Sequence, residues 1–397
     1  MQTSSSTATW RQTNIGSVCR LINGRAYKKS ELLDAGKYRV LRVGNFFTSD
    51  HWYFSNLELE PDKYCSSGDL LYAWSASFGP RFWAGEKSIF HYHIWKVDPD
   101  PAKVTKEFLF YFFEWDKDKI RDEQGAGATM VHVSKTSMEA RRISLPSLSE
   151  QKRIVAILDQ AFAALDRARA HTEANLADAD SLYASALDEM IRQSRSSWDT
   201  GTVSSLVGEV STGPFGSLLH KRDYIDGGVP IINPSNIVEG AIEPDWTKTV
   251  SAETAERLGS YRLCADDLVI GRRGEMGRCA PVLPEMDGWL CGTGSFIVRP
   301  KPEVSPEFVS YLMRSRMIVD RLSAIATGAT MPNLSNRALA QMPFELPAYD
   351  VQIAMLAEMK ALEAKTADLR AAFAAKLTDI TALRQSLLQQ AFSGQLT

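Results

Sequence analysis

The chain is short of the features by which most enzymes, secreted scaffolds and membrane proteins announce themselves. No run of 18 or more apolar residues occurs, and the Ser/Thr-rich start, Met1 to Thr9, has no apolar core, so neither a membrane span nor a secretory signal is expected. Its five cysteines (Cys19, Cys65, Cys264, Cys279, Cys291) form no C-x-x-C pair, and their odd number fits reduced thiols in a cytoplasmic compartment. There is no excess of one charge: 45 Lys+Arg stand against 48 Asp+Glu, a net of −3, so any partner recognised by charge must be met by local patches. G-x-x-x-x-G-K-[ST], G-x-G-x-x-G and H-E-x-x-H are all absent, which leaves ATP-driven work, dinucleotide chemistry and zinc hydrolysis without a visible site. Asn233-Pro234-Ser235-Asn236 lacks the second proline and the aromatic ring of a base-methylating loop and reads as a turn. His91 and His93, two apart on a predicted strand, face one side. Without a carboxylate or thiol at suitable spacing, they suggest packing or base contact rather than a metal site. The pattern is that of a non-enzyme with no cofactor or metal of its own.

What the chain does have is itself, twice. Trp10 with Ile15-Gly16-Ser17-Val18 matches Trp198 with Val203-Ser204-Ser205-Leu206 at an offset of 188. Asp69-Leu70-Leu71 matches Asp267-Leu268-Val269 at 198, and Glu107-Phe108 with Tyr111 matches Glu307-Phe308 with Tyr311 at 200. Gly127-Ala128-Thr129-Met130 then matches Gly328-Ala329-Thr330-Met331, and Leu145-Pro146 with Gln151 matches Leu346-Pro347 with Gln352, both at 201. Ten of the 13 extra residues of the second half enter before Asp267, so the halves share a framework and differ in its early middle. Two different reading surfaces on a common frame would produce this pattern; neutral drift after duplication would too.

Each half divides into a globular region and a tail. Strand-like runs such as Tyr38 to Val43, Asp69 to Trp74, Asp267 to Ile270 and Phe296 to Val298, with local helical spacing at Lys106 to Trp115 and Pro306 to Met317, predict a mixed α+β domain used twice. In the tails, apolar or small residues recur at alternating steps of 4 and 3: Ile154, Leu158, Ala161, Leu165, Ala168 and Thr172 in the first, with Ser149 as a predicted N-cap. The second carries Met355, Met359, Leu362, Thr366, Leu369, Phe373, Ile380 and Leu387. Helices of about 42 residues would each span roughly 63 Å, far more than a domain of this size needs for its own core, so the tails are expected to pack on each other or on partner helices, an antiparallel pair being the economical solution. The expected boundaries are 10–149 and 197–349 for the domains, and 150–196 and 350–393 for the helices.

Local charge allows a DNA contact. Residues 1–149 carry 20 basic and 17 acidic side chains; residues 197–349 carry 14 and 18. Within the second domain, Arg272, Arg273 and Arg278 cluster among Gly271, Gly274 and Gly277, where guanidinium groups could reach a phosphate or a guanine edge, or lie on a solvated face. The equivalent stretch of the first half reads Trp74-Ser75-Ala76-Ser77-Phe78-Gly79-Pro80-Arg81. The Gly-Ala-Thr loops are followed by Ser134-Lys135 and by Asn333-Leu334-Ser335-Asn336-Arg337, small and polar residues suited either to a phosphate or to a plain turn.

Gly68-Asp69-Leu70-Leu71-Tyr72-Ala73-Trp74-Ser75-Ala76-Ser77-Phe78-Gly79-Pro80 and Gly328-Ala329-Thr330-Met331-Pro332-Asn333-Leu334-Ser335 are two of the strings that carry a resemblance. The others are the junction Leu145 to Ile154 and the ending Leu383 to Gly394. Together with the duplication, the chain resembles the specificity subunits of Type I restriction-modification systems over essentially its whole length. The second junction, Tyr349-Asp350-Val351-Gln352-Ile353, keeps the glutamine but not the charge pattern of Glu150-Gln151-Lys152-Arg153.

The resemblance implies two target recognition domains, each reading one half of a split duplex DNA target, and two spacer helices. It implies two modification subunits supplying S-adenosylmethionine-dependent adenine N6 methylation, and motor-nuclease subunits for cleavage, in a bacterial or archaeal cytoplasm. Candidate DNA contacts under it are Arg25, Lys28, Lys29, Arg42, Asn45, Trp74, Ser75, Arg81, Thr129 and Lys135 in the first half. In the second they are Lys221, Asn233, Ser235, Asn236, Arg272, Arg273, Arg278, Thr330, Asn333, Ser335 and Arg337. Ile154, Leu158, Leu165, Met355, Leu362, Leu369, Phe373 and Leu387 are candidates for the helix seam and subunit interface. A duplicated coiled-coil scaffold whose domains bind protein is the alternative.

Overall fold

The computed structural model describes residues 10–75, 78–123, 132–214, 218–328 and 332–396. It is a mixed α+β chain of two compact units: residues 1–172 with 375–397, and residues 173–374. Two long helices, α1 (Leu148–Ser194) and α2 (Tyr349–Phe392), each contribute to both.

The first unit is built on a four-stranded antiparallel sheet in the order Cys19–Asn23, Ile94–Pro99, Leu70–Ala73, Gly79–Phe82. Leu70 faces Val97 and Tyr72 faces Trp95, so one face of the sheet buries large side chains against the Lys106–Glu123 helix, whose Phe108, Phe112 and Phe113 are fully buried. A second sheet, Tyr53–Ser55, Tyr38–Leu41, Ser88–Phe90 and Tyr64–Cys65, includes one parallel pair, and Arg11–Asn14 pairs with Arg142–Leu145 across the span of the domain.

The second unit repeats this plan. Gly208–Thr212, Ser295–Pro300, Leu268–Gly271 and Cys279–Pro281 form its main sheet, and Asp199–Thr202 pairs with Pro343–Leu346. Where the first unit has one helix, the second has Pro306–Arg314 and Arg316–Ile325, parted at Ser315, whose hydroxyl donates to the Leu312 carbonyl at 2.6 Å.

A buried glutamine joins each domain to the start of its long helix. Gln151 Oε1 accepts from the Thr105 amide at 3.0 Å, while its Nε2 donates to the carbonyls of Lys103 and Pro146. Gln352 does the same with the Ser305 amide at 2.8 Å and the carbonyls of Glu303 and Pro347. Both are essentially inaccessible, at 0% and 1% exposure. Truncation would strand three backbone groups away from water, so Gln352→Leu is expected to destabilise the second unit by about 2–4 kcal/mol. Hydrogen exchange over Ser305 and the Pro347 turn would register it; protection equal to that of the unmodified chain would contradict it. The cap of α1 is Ser147, whose hydroxyl accepts from the Glu150 amide at 3.3 Å, rather than Ser149, because the helix begins at Leu148, ahead of the expected start at 150.

The helices run antiparallel within each unit. In the first, Arg384 pairs with Asp166 at 2.8 Å and lies over the Phe162 ring, while Ile154, Leu158, Leu388 and Phe392 share one core. In the second, Arg370 meets Asp180 and Ser194 meets Met355, so α2 numbers fall as α1 numbers rise. Met355, Met359 and Thr366 are buried on this seam, and Leu165, Leu362, Phe373 and Leu387 are half-buried. Leu369 is 46% exposed, contrary to its expected seam position. An additional four-residue step puts Arg370 over the Tyr183 ring in its place, the drift a 3.6-residue helix makes against a strict 3.5 repeat.

Four of the five thiols are buried, and burial pushes Cys19, Cys65 and Cys279 up to about 12; only Cys264 is exposed. Among the described residues no helix is long and apolar enough to cross a membrane, and no group of three or more His, Cys, Asp or Glu side chains could hold a metal ion.

Candidate nucleic-acid interface

In both units the chain leaving the third strand of the main sheet is crossed by the segment after the Gly-Ala-Thr sequence. Ser75 bridges His132 in the first unit and Arg273 bridges Asn333 in the second, which are repeat-equivalent pairs. The Val133 amide donates to the Trp74 carbonyl, and the Leu334 amide donates to the Arg272 carbonyl at 2.9 Å. Beneath the crossing lies an aromatic shelf: Trp74 stacks on Trp95 at 5.9 Å between ring centroids, and the Arg272 guanidinium lies 5.6 Å from the centroid of Phe296. One frame therefore carries an indole in one unit and a guanidinium in the other.

In the second unit the crossing is polar and incompletely satisfied. Among the described residues Arg272 Nε, Asn333 Oδ1 and the Ser295 hydroxyl are buried without partners. Burial, then the neighbouring Arg273 charge, lowers the Arg272 guanidinium from its ordinary value, and Arg273 itself is exposed. Two adjacent cations suit a site completed by acceptors from outside. Arg278 is committed elsewhere: its Nε and Nη2 donate to Glu275 and its Nη1 to the carbonyls of Pro234 and Ile237. Gly277, at φ +86°, brings the backbone so close to the neighbouring helix that a Cβ would lie 2.4 Å from Val319.

The other sequence candidates divide by exposure. Lys28, Lys29, Arg42, Arg81, Lys135, Lys221, Ser235, Ser335 and Arg337 are exposed; Arg42 and Arg81 lie over the rings of Tyr53 and Phe47. Lys135 sits 3.6 Å from Glu139, Arg337 donates to Gln341, and the Ser335 hydroxyl caps the Asn336–Ala340 helix. Arg25 makes a two-pronged pair with Glu31 at 3.0 and 2.8 Å. Ser75, 4% exposed, and Asn236, 8% exposed, are turned inward, the latter because its side chain closes the turn to the Asn233 amide and the Glu243 carbonyl. Asn45 likewise spends its amide on the carbonyls of Ser49 and His51. Thr129 and Thr330 lie outside the described residues. His132, Tyr92, Trp95 and Phe296 are not among the sequence candidates; the 201-residue offset maps His132 on Asn333, and the matching strand registers, Tyr72 opposite Trp95 and Ile270 opposite Phe296, equate the two shelf rings.

The duplicated frame has a counterpart among known proteins. The family model described as the Type I restriction modification DNA specificity domain matches residues 8–174 and 207–378, one copy per half. The chain belongs to this specificity-subunit family. It is 20% identical to the Type I restriction enzyme EcoBI specificity subunit of Escherichia coli, covering 98% of this chain and 86% of that protein. Against the MjaVIII specificity subunit of Methanocaldococcus jannaschii it is 22% identical over 89% of this chain and 86% of that one.

A solved structure from work on complex assembly and conformational transition of the type I R-M system superposes with a TM-score of 0.76 at 16% identity, covering 98% of each chain. The HsdS subunit of Thermoanaerobacter tengcongensis superposes at 0.53, also at 16% identity, covering 98% and 97%. The chain is thus a DNA sequence-recognition subunit of the Type I restriction-modification class, with the specificity-subunit fold.

Proposed function

We propose that each unit reads one half of a bipartite duplex DNA target and that the long helices set the unread gap between the halves. One observation carries this reading: the crossings Ser75–His132 and Arg273–Asn333 occupy the same place in the repeat yet present different chemistry. Two copies of one function would keep one set of side chains at that place, whereas two half-sites require two.

In this reading the chain performs no chemistry. Modification subunits supply adenine N6 methylation, with S-adenosylmethionine held there rather than here, and motor-nuclease subunits add cleavage. The surfaces offered to those partners are the outer faces of the helices, where Ile157, Leu182, Tyr349, Ile353, Leu369 and Leu383 are each more than a third exposed. With a net charge of −3, the chain cannot alone supply the phosphate neutralisation of a strong DNA complex, so much of the positive surface belongs to the partners.

The test is duplex binding by the chain alone and with its modification subunit. Salt-sensitive, sequence-selective binding that requires the assembled complex is expected. Absence of DNA binding in the assembled, active complex would turn the reading toward a protein-binding scaffold.

A further inference from the structure

Three of the six histidines of the chain gather at one crossing. Trp74 lies 4.9 Å from His93, 6.1 Å from Tyr92 and 6.2 Å from His132 between ring centroids, and His91 lies 4.9 Å from His93. Core packing does not account for the group, since Tyr92 is 39% exposed and His132 is exposed while the other three are only partly covered. It stands where the second unit sets out Arg272, Arg273 and Asn333, and Arg42 stands close enough to lower the protonation of His91. A neutral centre beside an exposed cation suits a surface that reads base edges between phosphates.

The chemistry of the group is specific. The indole N–H of Trp74 donates to the Tyr92 carbonyl at 2.8 Å, so the ring is fixed and what it offers a ligand is apolar. The His93 amide donates to His91 Nδ1, which puts the proton of a neutral His91 ring on Nε2. Burial, then the neighbouring His93 and Arg42, push His91 down to about 4, and burial, then His132, lower His93, so both rings are uncharged at neutral pH. A fixed apolar ring beside neutral imidazole N–H donors fits a base edge with a methyl group next to an acceptor. In the major groove only thymine has one, its C5 methyl beside O4.

Resting on the DNA-reading assignment above, we propose that Trp74, Tyr92, His91, His93 and His132 are the specificity-determining surface of the first unit, and that it selects an A·T pair through the thymine methyl group. The two units then read by opposite means, an uncharged aromatic face in one and a guanidinium pair in the other.

The test uses the full chain with its modification subunit and determines the methylated motif for the unmodified chain, Trp74→Ala, Trp74→Phe and His132→Gln. Trp74→Ala is expected to relax one A·T position of the first half-site by about four- to ten-fold, the value of a buried methyl group, with Trp74→Phe milder and the second half-site intact. A retained second half-site shows that the second unit is folded and assembled, and retention of the other positions of the first half-site shows that the first unit is folded too. Deoxyuridine in place of thymidine at that position should weaken binding by the unmodified chain and not by Trp74→Ala. An unchanged motif in Trp74→Ala and His132→Gln, or relaxation at a G·C pair or in the second half-site, would overturn the proposal while leaving DNA reading in place. Absence of any chain-dependent motif with the unmodified chain would overturn both.

Discussion

Replacing Arg141 by alanine is expected to destabilise the first unit by about 3–5 kcal/mol, the cost of leaving a buried carboxylate without its cation. Arg141 follows the Lys135–Ala140 helix and points its guanidinium into the domain, where Nη2 donates to Asp116 and Nη1 to Glu123, each at 2.8 Å, and Nε also meets Asp116. Asp116 is 4% exposed on the helix that covers the main sheet. Burial pushes its carboxyl above the ordinary value and Arg141 opposes that shift.

Without the guanidinium, Asp116 should hold a proton more tightly folded than unfolded. The sign follows: the variant gains from that proton at low pH and loses the gain as pH rises through the carboxylate range, so its deficit is smaller near pH 4 than near pH 8. In the second unit the equivalent position is Met342, 2% exposed, so the frame does not itself require an ion pair there. Arg141→Met combined with Asp116→Leu should accordingly recover most of the loss. Hydrogen exchange across Lys106–Leu145 measures all three states. A deficit under 1 kcal/mol in Arg141→Ala, or none recovered in the double variant, would contradict this account.

The second large effect is on specificity. Arg273→Ala is expected to remove discrimination at one base pair of the second half-site, by roughly ten- to a hundred-fold for a two-pronged guanine contact, and to leave the first half-site as it was. Arg273 is exposed, its backbone is held by the bridge to Asn333, and it is next to Arg272, whose Nε is buried without a partner among the described residues. These features favour base reading over a mobile surface charge. Binding selections on duplexes randomised in one half at a time separate the alternatives. Equal weakening on every sequence, with a shallower salt dependence, would make Arg273 a phosphate contact instead.

Periodicity and self-comparison show most of the frame. The 201-residue offset that aligns Gln151 with Gln352 in sequence aligns two glutamines making the same three hydrogen bonds, and the 4–3 spacing from Ile154 onward is a helix seam. Long-range polar chemistry leaves no such trace. Nothing near Arg141 in sequence indicates that its partners are Asp116 and Glu123, and nothing near Arg278 that its Nη1 is taken by the carbonyls of Pro234 and Ile237. Ser75 reads as a small polar reader because sequence does not show that the crossing segment covers it. At the candidate interface, residue type indicates what can touch DNA; burial and prior commitments decide what is free to.

The most direct measurement is single-molecule methylome sequencing of cells expressing this chain together with its methyltransferase partner, against cells lacking the chain. A bipartite N6-methyladenine motif with a fixed gap, present only when both are expressed, is the predicted result and gives both half-sites at once. An active, assembled partner that leaves no chain-dependent methylation, or a chain-dependent motif of one continuous block, would contradict the account of two units reading two half-sites.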